Sequence, residues 1–299
     1  MMRDESMPGV APFKVAAIQM VSGPVVEENL AKAAELIQEA ARQGARLVGL
    51  PEYFCLMGMR EQDKVDAREE EGRGPIQDFL SRTAAALGIW LVGGTTPLVS
   101  RQAGKVRNAC LVYDESGQRV ARYDKIHLFG FSSGEERYDE AATIEPGDAV
   151  VACKSPFGRI GLSVCYDVRF PELYRSFAPV DIVFVPSAFT APTGEAHWEI
   201  LLRARAIENL AFLVAPAQGG RHPSGRRTWG HSMVIDPWGA VLASLDTGPG
   251  IAIAEIDPMI LRKARASLPA LEHRKLHGNS SLSGRAGIGS YPSKSAAQA

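Results

Sequence analysis

Three polar residues follow three apolar segments of the chain, and together they could perform nucleophilic chemistry. Glu52 follows "LVGLP", Lys125 follows "RVARYD", and Cys165 follows "RIGLSV". In open α/β folds, loops at strand ends present functional side chains from a rigid base. Each residue alone indicates little, because a cysteine in an apolar run is more often a core residue. A glutamate after a strand is usually a solvated loop residue or a helix cap, and a lone lysine usually lies on the surface. Taken together, they match one kind of chemistry.

A cysteine nucleophile attacks as the thiolate, a minor species at neutral pH unless a base or a positive charge assists. A buried carboxylate can be that base, and an ammonium group nearby would stabilise the thiolate and the oxyanion of a tetrahedral intermediate. Glu52, Lys125 and Cys165 could thus attack a carbonyl or nitrile carbon, expel nitrogen and hydrolyse the resulting thioester. Spacing alone leaves open whether the three residues meet. No histidine has the flanking sequence of a papain-like site.

Strand-like and helix-like segments alternate along the first half of the chain. The run "FKVAAIQMV" predicts a strand, and "EENLAKAAELIQEAARQGA" predicts a helix that ends at Gly44. The segments "IWLVGGTTPLV", "VRNACLVYD" and "QRVARYDK" predict consecutive strands with no helix between them. Because several neighbouring strands lack an intervening helix, we expect a single α/β domain with a mixed sheet and antiparallel hairpins.

The second half of the chain continues the alternation after a looser stretch at residues 129–148. A strand containing "RIGLSV" precedes the short helix "FPELYRSF", and the strand "DIVFVPSAF" precedes the long helix "AHWEILLRARAIENLA". His197 and Trp198 lie on that helix, where the pattern favours a core or subunit-interface position. A late helix, "PMILRKARASL", follows the last predicted strand.

Composition excludes several classes of function. The 299 residues include 33 basic and 34 acidic side chains, which leaves no electrostatic footprint for nucleic acid. The longest apolar runs are too short to span a membrane. The six histidines form no zinc motif, and phosphate-binding loops are missing from the sequence, so no metal or cofactor is expected. Four cysteines without a paired pattern indicate reduced thiols and a cytoplasmic setting. They are Cys55, Cys110, Cys153 and Cys165.

Three segments, "LPEYF", "YDKIHLF" and "CYDVRFPEL", resemble the signature segments of the nitrilase superfamily of carbon–nitrogen hydrolases, in the order that the family has them. The resemblance extends from Phe13 to about His277. It implies a four-layer α-β-β-α sandwich with mixed sheets, in which Glu52 is the general base, Lys125 the oxyanion-stabilising cation and Cys165 the nucleophile. The backbone N–H of Tyr166 would be a second oxyanion donor.

The family also has a second glutamate between the lysine and cysteine segments, and counting back from "EPGD" places it at Glu140. This carboxylate could orient Lys125 and position the substrate. The alternative is that Glu140 is a charge on the surface of a loop. His127, two residues after Lys125, would support the site only if the strand continues that far.

The segments "PSAFTAPTGEAHWEILLRARAIEN" and "GHSMVIDPWGAVLA" resemble the Nit branch of the superfamily. The resemblance implies that Arg169 pairs with a substrate carboxylate, a task suited to a guanidinium fork, and that Phe189 and Thr193 line the same pocket. Each residue has an ordinary structural alternative. Arg169 could bridge carboxylates such as Glu172, Phe189 could be core, and Thr193 could cap a helix.

The resemblance implies an amidase that acts through a cysteinyl thioester on a small amide carrying a carboxylate, with deaminated glutathione as the expected substrate. Related ω-amidases act on α-ketoglutaramate, and true nitrilases share the same machinery. A different class, a catalytically silent scaffold or binding protein, would require lost chemistry, yet Glu52, Lys125 and Cys165 are all present. We expect a homodimer or a higher homo-oligomer. We also expect a flexible leader over residues 1–12, the hydrolase domain over residues 13–277 and a tail over residues 278–299.

Overall fold

The computed structural model describes residue 7, residues 9–133 and residues 136–275. Across those residues the α-helices are α1 (Val26–Arg42), α2 (Asp63–Asp66), α3 (Pro75–Leu87), α4 (Pro171–Phe177), α5 (Ala191–Asn209) and α6 (Pro258–Ser267). Two short 3₁₀ helices cover Glu140–Ala142 and Cys165–Arg169. The strands are β1 (Phe13–Gln19), β2 (Ala45–Gly49), β3 (Trp90–Val92), β4 (Thr96–Val99), β5 (Val106–Tyr113), β6 (Arg119–Asp124), β7 (Gly130–Ser133), β8 (Glu136–Asp139), β9 (Ala152–Ser155), β10 (Gly158–Leu162), β11 (Ile182–Phe184), β12 (Phe212–Ala215), β13 (Gly219–Arg221), β14 (Arg227–Trp229), β15 (Met233–Ile235), β16 (Val241–Ser244) and β17 (Gly250–Ile256).

Two mixed sheets form the centre of the fold. The first has the order β17-β1-β2-β3-β5-β4, with β6 also paired to β5, and the second has the order β16-β15-β12-β11-β10-β9. In each sheet three parallel strands lie at the centre, β1-β2-β3 and β10-β11-β12, and antiparallel strands flank them. The parallel strands require crossover connections, and the helices α1, α3, α4 and α5 lie in them.

The alternation of side chains along the strands produces the layers. On β1, Val15 and Ala17 belong to the apolar cluster between the sheets, whereas Ala16 and Ile18 belong to the cluster under α1 and α3. On the far side, Trp198 and other buried residues of α4 and α5 join the cluster that holds the second sheet. The predicted four-layer α-β-β-α sandwich with mixed sheets is therefore confirmed.

Three local predictions need correction. The segment "IWLVGGTTPLV" forms two strands, β3 and β4, because Gly93 and Gly94 turn the chain between them. The stretch 129–148 contains the hairpin β7–β8 and a 3₁₀ helix. Helix α5 begins at Ala191, several residues before the predicted start, with Thr190 at its N-terminal boundary.

The ends of the chain are described only in part. Residues 1–6 and 8 of the expected leader and residues 278–299 of the expected tail lie outside the described residues. Within the leader, Met7 is buried, and its carbonyl accepts a hydrogen bond from Arg262 Nη1 at 3.0 Å. Among the described residues, every helix is too short or too polar to cross a membrane.

Candidate active site

The four residues expected to carry the chemistry follow strand ends or begin the short helices after them. Glu52 lies in the turn after β2, and Lys125 directly follows β6. Glu140 begins the 3₁₀ helix after β8, and Cys165 begins the 3₁₀ helix that follows β10. All four side chains are buried, and Lys125 is completely inaccessible to solvent. The structure thus brings together four residues that are distant in sequence.

Lys125 lies between two carboxylates. Its Nζ is 2.8 Å from Glu52 Oε1, 2.9 Å from Glu140 Oε1 and 2.7 Å from Glu140 Oε2. Although burial lowers the pKa of the ammonium group, the charges of Glu140 and Glu52 outweigh that effect, and its pKa is raised above the ordinary lysine value. Glu140 is therefore a member of a buried ion network, and the alternative of a solvated loop charge is wrong for this residue.

Glu52 has one bonded and one unbonded oxygen. Oε1 accepts hydrogen bonds from Lys125 Nζ and, at 3.0 Å, from Asn108 Nδ2 on β5. Oε2 is buried, and within the part of the chain that the structure describes it has no hydrogen-bond partner. A buried carboxylate oxygen without a donor is costly, and it is the atom of this residue that is free to take a proton.

A glycine turn supports the segment that carries Glu52. Gly94 adopts φ 56°, and a Cβ atom at this position would lie 2.2 Å from the carbonyl oxygen of Pro51. The next residue, Thr95, accepts a hydrogen bond from the backbone N–H of Tyr53 at 2.9 Å. Tyr53 itself has φ 56°, a left-handed conformation that is uncommon for a residue with a side chain. The close approach of the two segments therefore requires glycine at position 94.

Cys165 also has a left-handed backbone, with φ 50°. Strained non-glycine residues cluster at functional sites, where the surrounding structure holds them in place. Burial raises the pKa of the Cys165 thiol well above its ordinary value, and the charge of Glu52 raises it further. Lys125 and the backbone N–H of Ala188 act in the opposite direction. The resting side chain is consequently a thiol, which needs a base when it attacks.

Asp167 connects the lysine segment to the cysteine segment. Its Oδ2 accepts hydrogen bonds from Tyr123 Oη at 2.7 Å and from the N–H of Val164 at 2.8 Å. Its Oδ1 accepts from the N–H of His127 at 3.0 Å and lies 2.7 Å from Nδ1 of the same residue. The His127 ring is stacked on Phe170 at 3.7 Å. His127 therefore supports the site by joining the segment after β6 to the cysteine turn.

The residues expected to bind substrate line a small cleft that has Cys165 and Glu140 on its wall. Tyr166, Arg169, Phe189 and Thr193 all contribute to it. The Arg169 guanidinium lies 5.4 Å from the ring centroid of Phe189 and 5.8 Å from that of Tyr166.

Arg169, Phe189 and Thr193 each had a purely structural role as the alternative to substrate binding, and their contacts differ. Within the described residues, Arg169 forms no salt bridge with Glu172, and its guanidinium nitrogens lie 3.3 Å from Nδ1 of His197. Phe189 is buried, and its ring centroid lies 4.8 Å from that of Trp198. It is therefore a core residue that also forms part of the cleft wall. Thr193 lies in the first turn of α5, where its Oγ1 is 2.8 Å from Oγ1 of Thr190.

Three residues at the site were missed from the sequence. Tyr53 donates a hydrogen bond from its hydroxyl to Glu140 Oε1 at 2.9 Å, and its position next to Glu52 could have indicated it. Asn108 lies within an apolar strand, where no local pattern marks it. Arg226 also lines the small cleft, from the turn between β13 and β14.

The described arrangement combines a protonated thiol, an oxygen atom able to take its proton, and a buried ammonium group held between two carboxylates. The carbon–nitrogen hydrolase family model matches residues 14–266. The chain therefore belongs to the carbon–nitrogen hydrolase family.

A deaminated glutathione amidase from Synechocystis sp. (strain PCC 6803 / GT-S) is 46% identical over 269 residues, which cover 88% of this chain and 98% of that protein. The human deaminated glutathione amidase is 41% identical over 274 residues, which cover 89% of this chain and 84% of that protein. The crystal structure of Saccharomyces cerevisiae Nit3, a member of branch 10 of the nitrilase superfamily, aligns with a TM-score of 0.81 at 30% identity and covers 89% of this chain and 97% of that one.

Proposed function

We propose that this protein is an amidase that hydrolyses deaminated glutathione to 2-oxoglutarate and cysteinylglycine. The observation that carries the proposal is the buried network of Glu52, Lys125 and Glu140 beside a strained Cys165, in a cleft that Arg169 lines. The relatives named deaminated glutathione amidase supply the identity of the substrate. Arg169 supplies the cation that a 2-oxo acid needs for its carboxylate.

In the first half of the reaction, Glu52 takes the proton of the Cys165 thiol while the sulfur atom forms a bond to the amide carbon. The carbonyl oxygen becomes an oxyanion, which the positive charge of Lys125 and the backbone N–H of Tyr166 stabilise. The carbon–nitrogen bond then breaks, Glu52 returns the proton to the leaving nitrogen, and the free amine departs. The acyl group remains on Cys165 as a thioester.

In the second half, Glu52 takes a proton from a water molecule, whose oxygen attacks the thioester carbon. The carbon–sulfur bond breaks, the acid is released, and the proton held by Glu52 returns to the sulfur of Cys165. The two halves together consume one water and restore the enzyme. Water is thus the only co-reactant that these steps need.

A substrate panel tests the specific assignment. Purified protein is assayed with deaminated glutathione, α-ketoglutaramate and simple nitriles, and we expect the highest kcat/KM with deaminated glutathione. Rapid turnover of another member of the panel with no turnover of deaminated glutathione would overturn the assignment. Cys165→Ala should abolish activity on every substrate, whereas Cys153→Ala, which changes a half-buried thiol on β9, should not.

We also infer that the protein acts in the cytoplasm as a homodimer or higher homo-oligomer. Its cysteines are unpaired in the described structure, as expected for a reducing compartment. Exposed apolar side chains on one side of α5 and on the neighbouring turn, Ile200, Ile207 and Trp238, support a protein-covered surface. Light scattering of the wild-type protein and of Ile200→Glu tests the assembly. We expect an oligomer that the substitution weakens, and a monomeric wild-type protein would overturn the inference.

A further inference from the structure

A second, larger cleft adjoins the small one that contains Cys165. It has a volume of about 430 Å³ and lies between residues 56–61 and Lys64 on one side and residues 224–227 on the other. Its rim is exposed to solvent at Met59, Arg60 and Gly225. Arg226 lines both clefts and therefore lies at the boundary between them.

Arg226 has an incompletely satisfied guanidinium. Nη2 donates a hydrogen bond to the carbonyl oxygen of Ala188 at 3.1 Å, and the group lies 5.1 Å from the ring centroid of Tyr138. Nε is buried and has no hydrogen-bond partner among the described residues. The charges of Glu52 and Glu140 reach this cation, but no carboxylate of the described residues lies within salt-bridge distance of it. A partly buried guanidinium without an ion-pair partner is suited to an anionic ligand.

The turn that carries Arg226 is held rigidly. The carbonyl oxygen of Arg226 accepts a hydrogen bond from the backbone N–H of His222 at 2.9 Å. The His222 ring is buried, with Nδ1 2.8 Å from the carbonyl oxygen of Ser22 and Nε2 2.8 Å from Oγ1 of Thr228. Since the Ser22 carbonyl can only accept, Nδ1 carries the proton and Nε2 accepts from Thr228. A fixed turn lowers the entropic cost of binding a ligand at Arg226.

The order of product release distinguishes the two clefts. In a thioester mechanism the amine leaves while the acyl group is still attached to Cys165, so the amine needs its own path to solvent. Arg169, Phe189 and Thr193 line only the small cleft, which suits the acyl half that stays behind. The large cleft has the exposed rim that the departing amine requires.

We propose that the large cleft binds the amine half of the substrate and that Arg226 binds a carboxylate on that half. The inference rests on the proposed amidase function and adds its amine-side specificity. The preferred substrates are 2-oxo acid amides whose leaving amine is a short peptide with a free carboxylate. A dipeptide amine in extended form reaches about 7 Å, a length suited to two adjoining clefts.

The experiment compares two substrates that share the same acyl half. Deaminated glutathione releases a dipeptide with a carboxylate, whereas α-ketoglutaramate releases ammonia. For Arg226→Gln, we expect kcat/KM to fall about 30-fold more for deaminated glutathione than for α-ketoglutaramate, mainly through KM. Arg169→Gln should lower kcat/KM for both substrates to a similar extent. Arg226→Lys should recover part of the difference, and Arg221→Gln, on an exposed arginine of β13, should leave the ratio unchanged.

A substrate analogue gives a second measurement, which begins with the wild-type protein alone. In deaminated glutathione with a C-terminal carboxamide, the carboxylate that Arg226 would bind is absent. The wild-type protein should process this analogue about 30-fold less efficiently than the parent compound, and Arg226→Gln should treat the two alike.

Two outcomes would overturn the inference: an equal loss of both substrates in Arg226→Gln, or no preference of the wild-type protein for the carboxylate over the carboxamide. Failure of the proposed function has a different signature. In that case the wild-type protein hydrolyses neither deaminated glutathione nor its carboxamide, whichever other amide it accepts, and the amine-side site is overturned together with the amidase assignment.

Discussion

Both carboxylate oxygens of Glu140 lie within 2.9 Å of the ammonium nitrogen of Lys125. The same two oxygens accept hydrogen bonds from the hydroxyl of Tyr53 and from the N–H of Phe129, at 2.9 Å and 2.7 Å. Within the described residues, each hydrogen-bond partner of this carboxylate is thus a donor. The lysine is held by Glu140 from one side and by Glu52 from the other, which fixes a positive charge beside Cys165.

We predict that Glu140→Gln lowers kcat about 100-fold on the preferred amide. The amide nitrogen of glutamine is a donor, so it cannot accept the hydrogen bonds that the Glu140 carboxylate accepts from its neighbours. Lys125 would therefore lose its fixed position. Glu145→Gln is the matched control, because Glu145 also accepts hydrogen bonds from an arginine and from backbone N–H groups, but lies outside the small cleft. Steady-state kinetics and thermal unfolding of both variants separate loss of chemistry from loss of stability. Equal activity of Glu140→Gln and the wild-type protein would contradict the prediction.

The raised pKa of Cys165 predicts how its alkylation depends on pH. The thiol is protonated near neutral pH, so the rate of reaction with iodoacetamide should rise about tenfold per pH unit through the neutral range. Burial is the main cause of the raised pKa, and the negative charge of Glu52 adds to it. Glu52→Gln should therefore lower the pKa of the thiol and shift the alkylation profile to lower pH, although amide hydrolysis is lost with the base.

Mass spectrometry of the Cys165 peptide over a series of pH values measures this profile. Glu140→Gln should shift the profile less, because the charge of Glu140 has a weaker effect on the thiol than that of Glu52. An unmoved profile in Glu52→Gln would show that the two groups are not electrostatically linked.

Parts of the site were predictable because their signals are local. Glu52, Lys125 and Cys165 each follow an apolar run, and a polar residue at a strand end is visible in the sequence. The strands themselves were predicted from the same runs. Glu140 lacks such a signal, since it lies in a polar stretch, and only the family resemblance indicated it.

Other parts depend on contacts that no short segment contains. Arg226 reaches the cleft because its turn is anchored to the carbonyl of Ser22, about two hundred residues earlier in the chain. Asn108 faces Glu52 because of the register of β5, whose inward and outward sides are equally apolar over most of its length. The stacking of two sheets and the meeting of remote loops create both contacts, so periodicity could not reveal them.

His222 predicts a pH dependence of stability. Burial lowers the pKa of this side chain in the folded protein, while in the unfolded chain it is near 6.5. The unfolded state therefore binds more protons as the pH falls below about 6.5, and the free energy of unfolding decreases until the pH passes the folded-state pKa. Above about pH 6.5 the contribution of the neutral His222 side chain to the free energy of unfolding is fully present.

Replacing His222 by Asn should flatten the acid side of the stability profile between about pH 7.5 and pH 5, because the titrating group is gone. Urea unfolding of the wild-type protein, His222→Asn and His273→Asn at several pH values tests this. His273 is exposed, so its removal should leave the slope of the profile unchanged. A wild-type slope that persists in His222→Asn would assign the acid sensitivity to other groups.

Gly94 predicts a loss of activity caused by the backbone alone. Alanine at this position would place its Cβ 2.2 Å from the carbonyl oxygen of Pro51, which directly precedes Glu52. Gly88 is the matched control, because its φ of 61° is close to the 56° of Gly94 but no atom of the described residues lies within 4 Å of a Cβ added there. Gly88→Ala should therefore cost about 1 kcal/mol, the ordinary penalty of the left-handed conformation.

Gly94→Ala carries the same conformational penalty and a backbone clash in addition, which raises the expected loss to about 2–4 kcal/mol. The clash can be relieved only by moving the Pro51 segment or the Gly94 turn. The hydrogen bond from the backbone N–H of Tyr53 to Oγ1 of Thr95 joins these two segments, so a movement of either one disturbs the other. Glu52 would then shift away from Lys125 and Asn108, so kcat should fall even in the molecules that remain folded. Urea unfolding and kinetics at a temperature well below the melting transition measure the two effects separately. Gly94→Ala and Gly88→Ala variants with equal kcat would contradict this coupling of the turn to the base.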